Sequence, residues 1–143
     1  MAAKDVHRKH IQEHLQELKD AISIGLEERP ATIGFHTSAC SIDLLELYLH
    51  VSGKVATGTV LKHDWFKRPK QGQKSLPLIE RKLAVEFQEK NKLFNLMYQI
   101  EEERNKLIYG NASKSSINAA LDAFQELHRT IKNQLIELGE DIE

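Results

Sequence analysis

The sequence predicts an all-α protein, an up-down four-helix bundle with a short extra helix in its middle. Three observations predict it. Four long segments place apolar residues three and four apart, the spacing of one face of an α-helix. Three prolines, seven glycines and few β-branched runs leave little room for a sheet. At 143 residues and 41% apolar content, the chain suits one core, hence a single domain over 1–143.

The first helix is expected over 4–28, with Ile11, Leu15, Leu18, Ile22 and Leu26 as its stripe. Arg29-Pro30 ends it, because the residue before proline avoids the α region. His7, His10 and His14 run along one edge of that stripe. A pair such as His10/His14 can hold zinc, but a closed site needs further ligands. The other account is a solvated helix flank, and the sequence calls for no metal centre.

A connection over 31–35 leads to a second helix, capped by Thr37 or Ser38 and stopped at Gly53. Ile42, Leu44, Leu45, Leu47, Tyr48, Leu49 and Val51 surround most of its circumference, which marks it as the most buried helix. One polar strip survives: His36, Asp43, Glu46 and His50.

Residues 54–74 form a basic, mobile connection. A short helix is expected over 58–66, capped by Thr57 or Thr59, and a polar loop over 67–74, broken by Pro69 and Gly72. Lys62, His63, Lys67 and Arg68 lie beside Trp65 and Phe66, a combination able to contact phosphates and stack on a base. Alternatively, both aromatics fill the end of the bundle.

Ser75 caps a further helix over 76–86, with Pro77 tolerated in its first turn. The apolar spacing shifts over 87–91, which separates it from a helix over 90–109. Gly110-Asn111 breaks the chain, and Ser113, Ser115 or Ser116 caps a last helix. Ile117, Leu121, Phe124, Leu127, Ile131, Leu135 and Leu138 form its stripe, with His128 inside as a core or interface residue. Gly139 ends it before an acidic tail, 140–143.

Arg104 is the residue that breaks the pattern. It projects between Ile100 and Leu107/Ile108, in the middle of a stripe that also holds Leu93, Leu96 and Met97. A buried, unpaired guanidinium costs several kcal/mol, so Arg104 must be paired, snorkel past the helix end, or face a cleft. Glu101 on its own helix, or Asp43 or Glu46 across the bundle, are the expected partners.

Net charge is −1, yet 54–82 holds eight basic and two acidic residues, a local +6. That balance argues against a general nucleic-acid-coating protein and permits one basic patch that holds phosphates. Cys40 is the only cysteine, so no intramolecular disulfide or cysteine metal cluster is expected, and a reducing, cytoplasmic setting fits. No run approaches the ~18 apolar residues of a membrane span, and the N-terminus is charged rather than signal-like. Gly-rich phosphate loops, nucleophile elbows and paired-Cys motifs are absent, and no cofactor is expected.

At Arg104-Asn105-Lys106-Leu107-Ile108-Tyr109-Gly110 the sequence resembles the HEPN superfamily of small helical-bundle proteins. Members carry an arginine, often followed by a polar residue, then four to six residues and a histidine, at the end of the penultimate helix. Chain length, the all-α pattern and a buried second helix with acidic residues also match. The resemblance implies a homodimer whose two motifs face each other across a cleft. In active members this site cleaves RNA without a metal, through Arg and His aided by a polar or acidic residue from an earlier helix. Some members work beside nucleotidyltransferase partners.

Here Tyr109 and Gly110 stand where the histidine is expected. A phenol with a pKa near ~10 is a poor base at neutral pH, although it can donate a hydrogen bond to phosphate. Arg104, Asn105 and Tyr109 are the candidate catalytic residues; His63, His50 or His128 is a candidate source of imidazole. Asp43, Glu46, Lys62, His63, Lys67 and Arg68 are the candidate ligand-binding residues. Three functions follow: a nucleotide- or RNA-binding domain with weak or no catalysis, a metal-independent, toxin-like ribonuclease, or a purely structural dimeric scaffold.

Overall fold

Helix-forming stripes and their breakers set the order of elements. A computed structural model describes residues 2–140, and side chains from residue 4 onward; 141–143 of the expected tail lie outside. The chain is all-helical: α1 (Ala2–Ile24), α2 (Pro30–Val51), a 3-10 turn (His63–Phe66), α3 (Leu78–Lys82), α4 (Lys90–Tyr109) and α5 (Lys114–Glu137). There is no strand among the described residues.

Several boundaries differ from expectation, each for a local reason. α1 stops at Ile24 because Gly25 adopts a φ of 140°, which only glycine tolerates cheaply. α2 then starts at Pro30 rather than at Thr37 or Ser38, its fixed φ suiting the first helical position. The expected connection over 31–35 is therefore helical. Thr37 instead donates from Oγ1 to the Ile33 carbonyl at 2.8 Å, and Ser41 from Oγ to the Thr37 carbonyl at 2.6 Å. These hydroxyls are satisfied within the helix interior rather than at its cap.

The expected helix over 76–86 shrinks to Leu78–Lys82. Beyond it Leu83, Val85 and Phe87 turn inward while Ala84, Glu86 and Gln88 stay exposed, the alternation of extended chain rather than helix. The short helix expected over 58–66 is likewise only one turn, His63–Phe66. α4 matches its predicted span. α5 is capped by Ser113, whose side chain accepts from the Ser116 N–H at 3.0 Å, and Gly139 closes it at φ 83°.

α2 packs against α1, α4 and α5, the central place its all-round apolar surface requires. Leu44, Leu45, Leu47 and Leu49 are fully buried there, against Ile11 of α1, Leu93 and Ile100 of α4, and Leu127, Ile131 and Leu135 of α5. α1 and α2 run antiparallel, since His7 meets Asp43 while His14 meets His36. α2 meets α4 closely at Gly34, where a Cβ would lie 2.9 Å from Leu107 Cβ. Phe66 is buried edge-on to Phe94 and tilted against Tyr98, so the aromatics of 58–66 close the end of the core rather than present a stacking surface. No helix among the described residues is long and apolar enough to cross a membrane.

Candidate functional site: a cleft between α2, α4 and the His63 turn

Where α4 passes the N-terminal half of α2, the chain entering the 3-10 turn leaves a cleft of about 410 Å³. Phe35, Ser38, Ile42 and Asp43 of α2, Lys62, His63 and Asp64 of the turn, and Arg104 of α4 line it. Gly34 permits this close approach of α2 to α4, because a Cβ added there would lie 2.9 Å from Leu107 Cβ and 3.5 Å from the Arg104 carbonyl oxygen.

Arg104 makes no ion pair among the described residues, and it lines the cleft. The expected pairing with Asp43, Glu46 or Glu101 does not form, because each carboxylate has other partners. Asp43 accepts from His7 at 3.0 Å and lies 3.4 Å from His14 Nε2. Glu46 accepts the Leu61 N–H at 2.6 Å, which fixes the loop leading to the turn. Glu101, almost fully buried, holds His63 Nδ1 at 2.8 Å with one oxygen and Asn105 Nδ2 at 3.4 Å with the other. A carboxylate on Nδ1 fixes the ring and leaves Nε2 for other partners.

Four of the sequence candidates thus meet in one place: Asp43, Lys62, His63 and Arg104. Asn105 acts at one remove, through Glu101. Lys67 and Arg68 belong to a neighbouring hollow, and Arg68 is spent on Glu102 at 2.8 Å. Tyr109, 77% exposed in the last turn of α4, does not line the cleft. His128 stacks on Phe124 at the opposite side of the bundle, beside α1. Sequence reasoning missed Phe35, whose half-exposed ring stands at the cleft wall, and Glu101 as the partner of His63. Glu101 sits one turn before Asn105, the only signal that marked it.

Behind Asp43 the polar strips of α1 and α2 meet. His14 Nδ1 and His36 Nδ1 are 2.8 Å apart, and the His7 and His50 rings stack with centroids 5.3 Å apart. Burial raises the Asp43 carboxyl, but hydrogen bonds from His14 and His7 and the charges of His10 and His7 outweigh it and hold it below its usual value. The bond to Asp43 raises His7 against its burial. Burial and the neighbouring His14 lower His36, with Glu17 and Glu13 opposing.

The two shifts have opposite consequences for stability. His7 contributes stability that is present below its unfolded pKa of about 6.5 and lost as pH rises through its raised value. For His36 the unfolded chain binds the proton first, so stability falls as pH drops below about 6.5. His36→Gln is therefore expected to lose less stability than the parent between neutral pH and about pH 5.5, followed by urea unfolding. Parallel losses in the two proteins would remove His36 from this account.

No family model, curated protein or solved structure matches this chain.

Proposed function

We propose that this chain is a HEPN-like domain that binds RNA or a nucleotide in the α2–α4 cleft. The observation that carries this is Arg104: an arginine without a carboxylate partner among the described residues, lining a cleft beside Lys62 and His63. A half-buried cation without a carboxylate partner, beside a ligand-sized cavity, favours an anionic occupant, and a guanidinium fork grips two phosphate oxygens at once. Asp43 does not compete for it, being held by His7 and His14. Phe35 supplies an aromatic face at the same wall, suited to a base or ribose. In this reading the chain acts in the cytoplasm as a homodimeric up-down bundle with two clefts facing each other, beside a nucleotidyltransferase partner.

His63 favours a second, catalytic reading. Its ring is oriented by a buried carboxylate in the same cleft as Arg104, the arrangement of a general acid–base imidazole beside a phosphate-gripping cation. It stands in for the histidine absent from the motif on α4, and would give metal-independent ribonuclease activity.

One experiment separates these. Purified protein is incubated with labelled single-stranded RNA in excess chelator, with Arg104→Ala, His63→Ala and Glu101→Gln alongside. Retarded but intact RNA, released by Arg104→Ala, supports the binding domain. Cleavage that disappears in His63→Ala and falls in Glu101→Gln supports the ribonuclease. RNA neither bound nor cut, nor nucleotide bound, overturns both and leaves the structural scaffold.

A further inference from the structure

The cluster behind the cleft is a second chemical centre, built by two facing helices. α1 carries His7 and His10 three residues apart, and α2 carries Asp43 and Glu46 at the same spacing. At that spacing both side chains of each pair project from one side of their helix. Antiparallel packing then brings the two pairs together. His7 Nδ1 lies 3.0 Å from Asp43 Oδ1 and 3.6 Å from Glu46 Oε1, and His10 Nδ1 lies 3.7 Å from the same Asp43 oxygen. Ligand atoms bound tetrahedrally at about 2.1 Å from one ion are ~3.4 Å apart, so these separations already bracket a coordination polyhedron. Donor atoms of His7, Asp43 and Glu46 all lie within 4.8 Å of one another.

We propose that His7, Asp43 and Glu46 bind a divalent transition-metal cation of the zinc class, with His10 completing the coordination. Three further observations support it. The His7, Asp43 and Glu46 side chains are only 12%, 13% and 8% exposed, so this is not a chance meeting of solvated acids. Two carboxylates offset the charge of one dication, and imidazole nitrogen with carboxylate oxygen is a borderline donor set. Glu46 is also oriented from behind, since its other oxygen accepts the Leu61 N–H at 2.6 Å, leaving Oε1 for the ion.

His50 adds an orphan. Both of its ring nitrogens are buried and neither completes a hydrogen bond, and its ring stacks on His7. His10, half exposed, is the coordination position open to solvent. The centre does not depend on the ligand of the cleft: it faces α1, whereas Arg104 and His63 stand on the other side of Asp43.

The full-length protein is dialysed against Zn2+ after chelator treatment, and bound metal is counted by elemental analysis. One equivalent is expected per chain, with a higher unfolding temperature in Zn2+ than in chelator. His7→Ala and Glu46→Gln are each expected to weaken binding by at least about tenfold, and His128→Ala to leave it unchanged. No bound Zn2+ in the parent, or binding unaffected by His7→Ala, would overturn the assignment. Should Glu46→Gln not fold, Co2+ decides. Visible bands of nitrogen- and oxygen-ligated cobalt that shift in His10→Ala sustain the site; the spectrum of aqueous Co2+ refutes it.

Discussion

Arg104→Ala is expected to lower affinity for single-stranded RNA or nucleotide by roughly 10- to 150-fold, the loss of charge-assisted hydrogen bonds of about 1.5–3 kcal/mol. The size follows from its surroundings: Arg104 lines the cleft and no ion pair among the described residues satisfies it, so under the proposed function a bound phosphate would be its partner. For the same reason the substitution breaks no pairing between helices. Its unfolding free energy should stay within about 1 kcal/mol of the parent. Fluorescence anisotropy at fixed salt, with urea unfolding of the same preparations, measures both. Unchanged affinity would remove the cleft from RNA or nucleotide binding. Unchanged affinity with a large stability loss would point instead to the scaffold, with Arg104 as a packing residue. Arg104→Lys keeps the charge and loses the fork, so an intermediate affinity is expected if bidentate geometry matters.

Gly34→Val is expected to destabilise the protein by about 2–3 kcal/mol, the upper part of the range for overpacking. Alanine at this position already places its Cβ 2.9 Å from Leu107 Cβ, an atom fixed to the α4 backbone that cannot swing away. The helices must therefore part. Gly34→Ala should cost less, because alanine's helix propensity, about 1 kcal/mol better than glycine's, offsets part of the strain. Parting the helices at Leu107 would also shift Arg104, whose carbonyl lies in ordinary contact, 3.5 Å from the same Cβ. Ligand affinity should fall with stability in the Gly34 series but separately from it in the Arg104 series. A Gly34→Val protein as stable as the parent would show that α2 and α4 are not held at this distance.

The two series bear on how the cleft and the metal centre divide α2 between them. Asp43 is the side chain they share, at the wall of the cleft and inside the histidine cluster. A cation at His7 and Glu46 would hold Asp43 away from Arg104, as the histidine hydrogen bonds already do. Chelator is then expected to leave RNA binding in place while lowering the unfolding temperature.

Much of this was legible in the sequence because it is local. Stripes at helical spacing marked α1, α2, α4 and α5, and the all-round apolar surface of α2 marked it as central. Gly139 announced the end of α5, and its cap was narrowed to Ser113, Ser115 or Ser116, of which the structure uses Ser113. Arg104 stood out as a charge on an apolar stripe, and the structure has it facing a cleft. Both polar strips were also visible, His7/His10/His14 on one helix and His36/Asp43/Glu46/His50 on the other. What the sequence could not reveal was that they face each other. Strip direction follows from residue spacing, but register between two helices depends on where the chain turns, and that turn was misplaced by the reading that began α2 at Thr37 rather than Pro30. The choice among His50, His63 and His128 was beyond it for the same reason. His63 meets Glu101 across 38 positions, beside a loop that Glu46 holds through the Leu61 N–H. Helix content, stripes and the anomalous arginine were thus determined by the sequence, through local stereochemistry and hydrophobic spacing. The partners of each charge, and with them the cleft and the histidine–carboxylate centre, were decided by tertiary packing, because desolvated charges are satisfied only by groups that other helices bring within hydrogen-bonding distance.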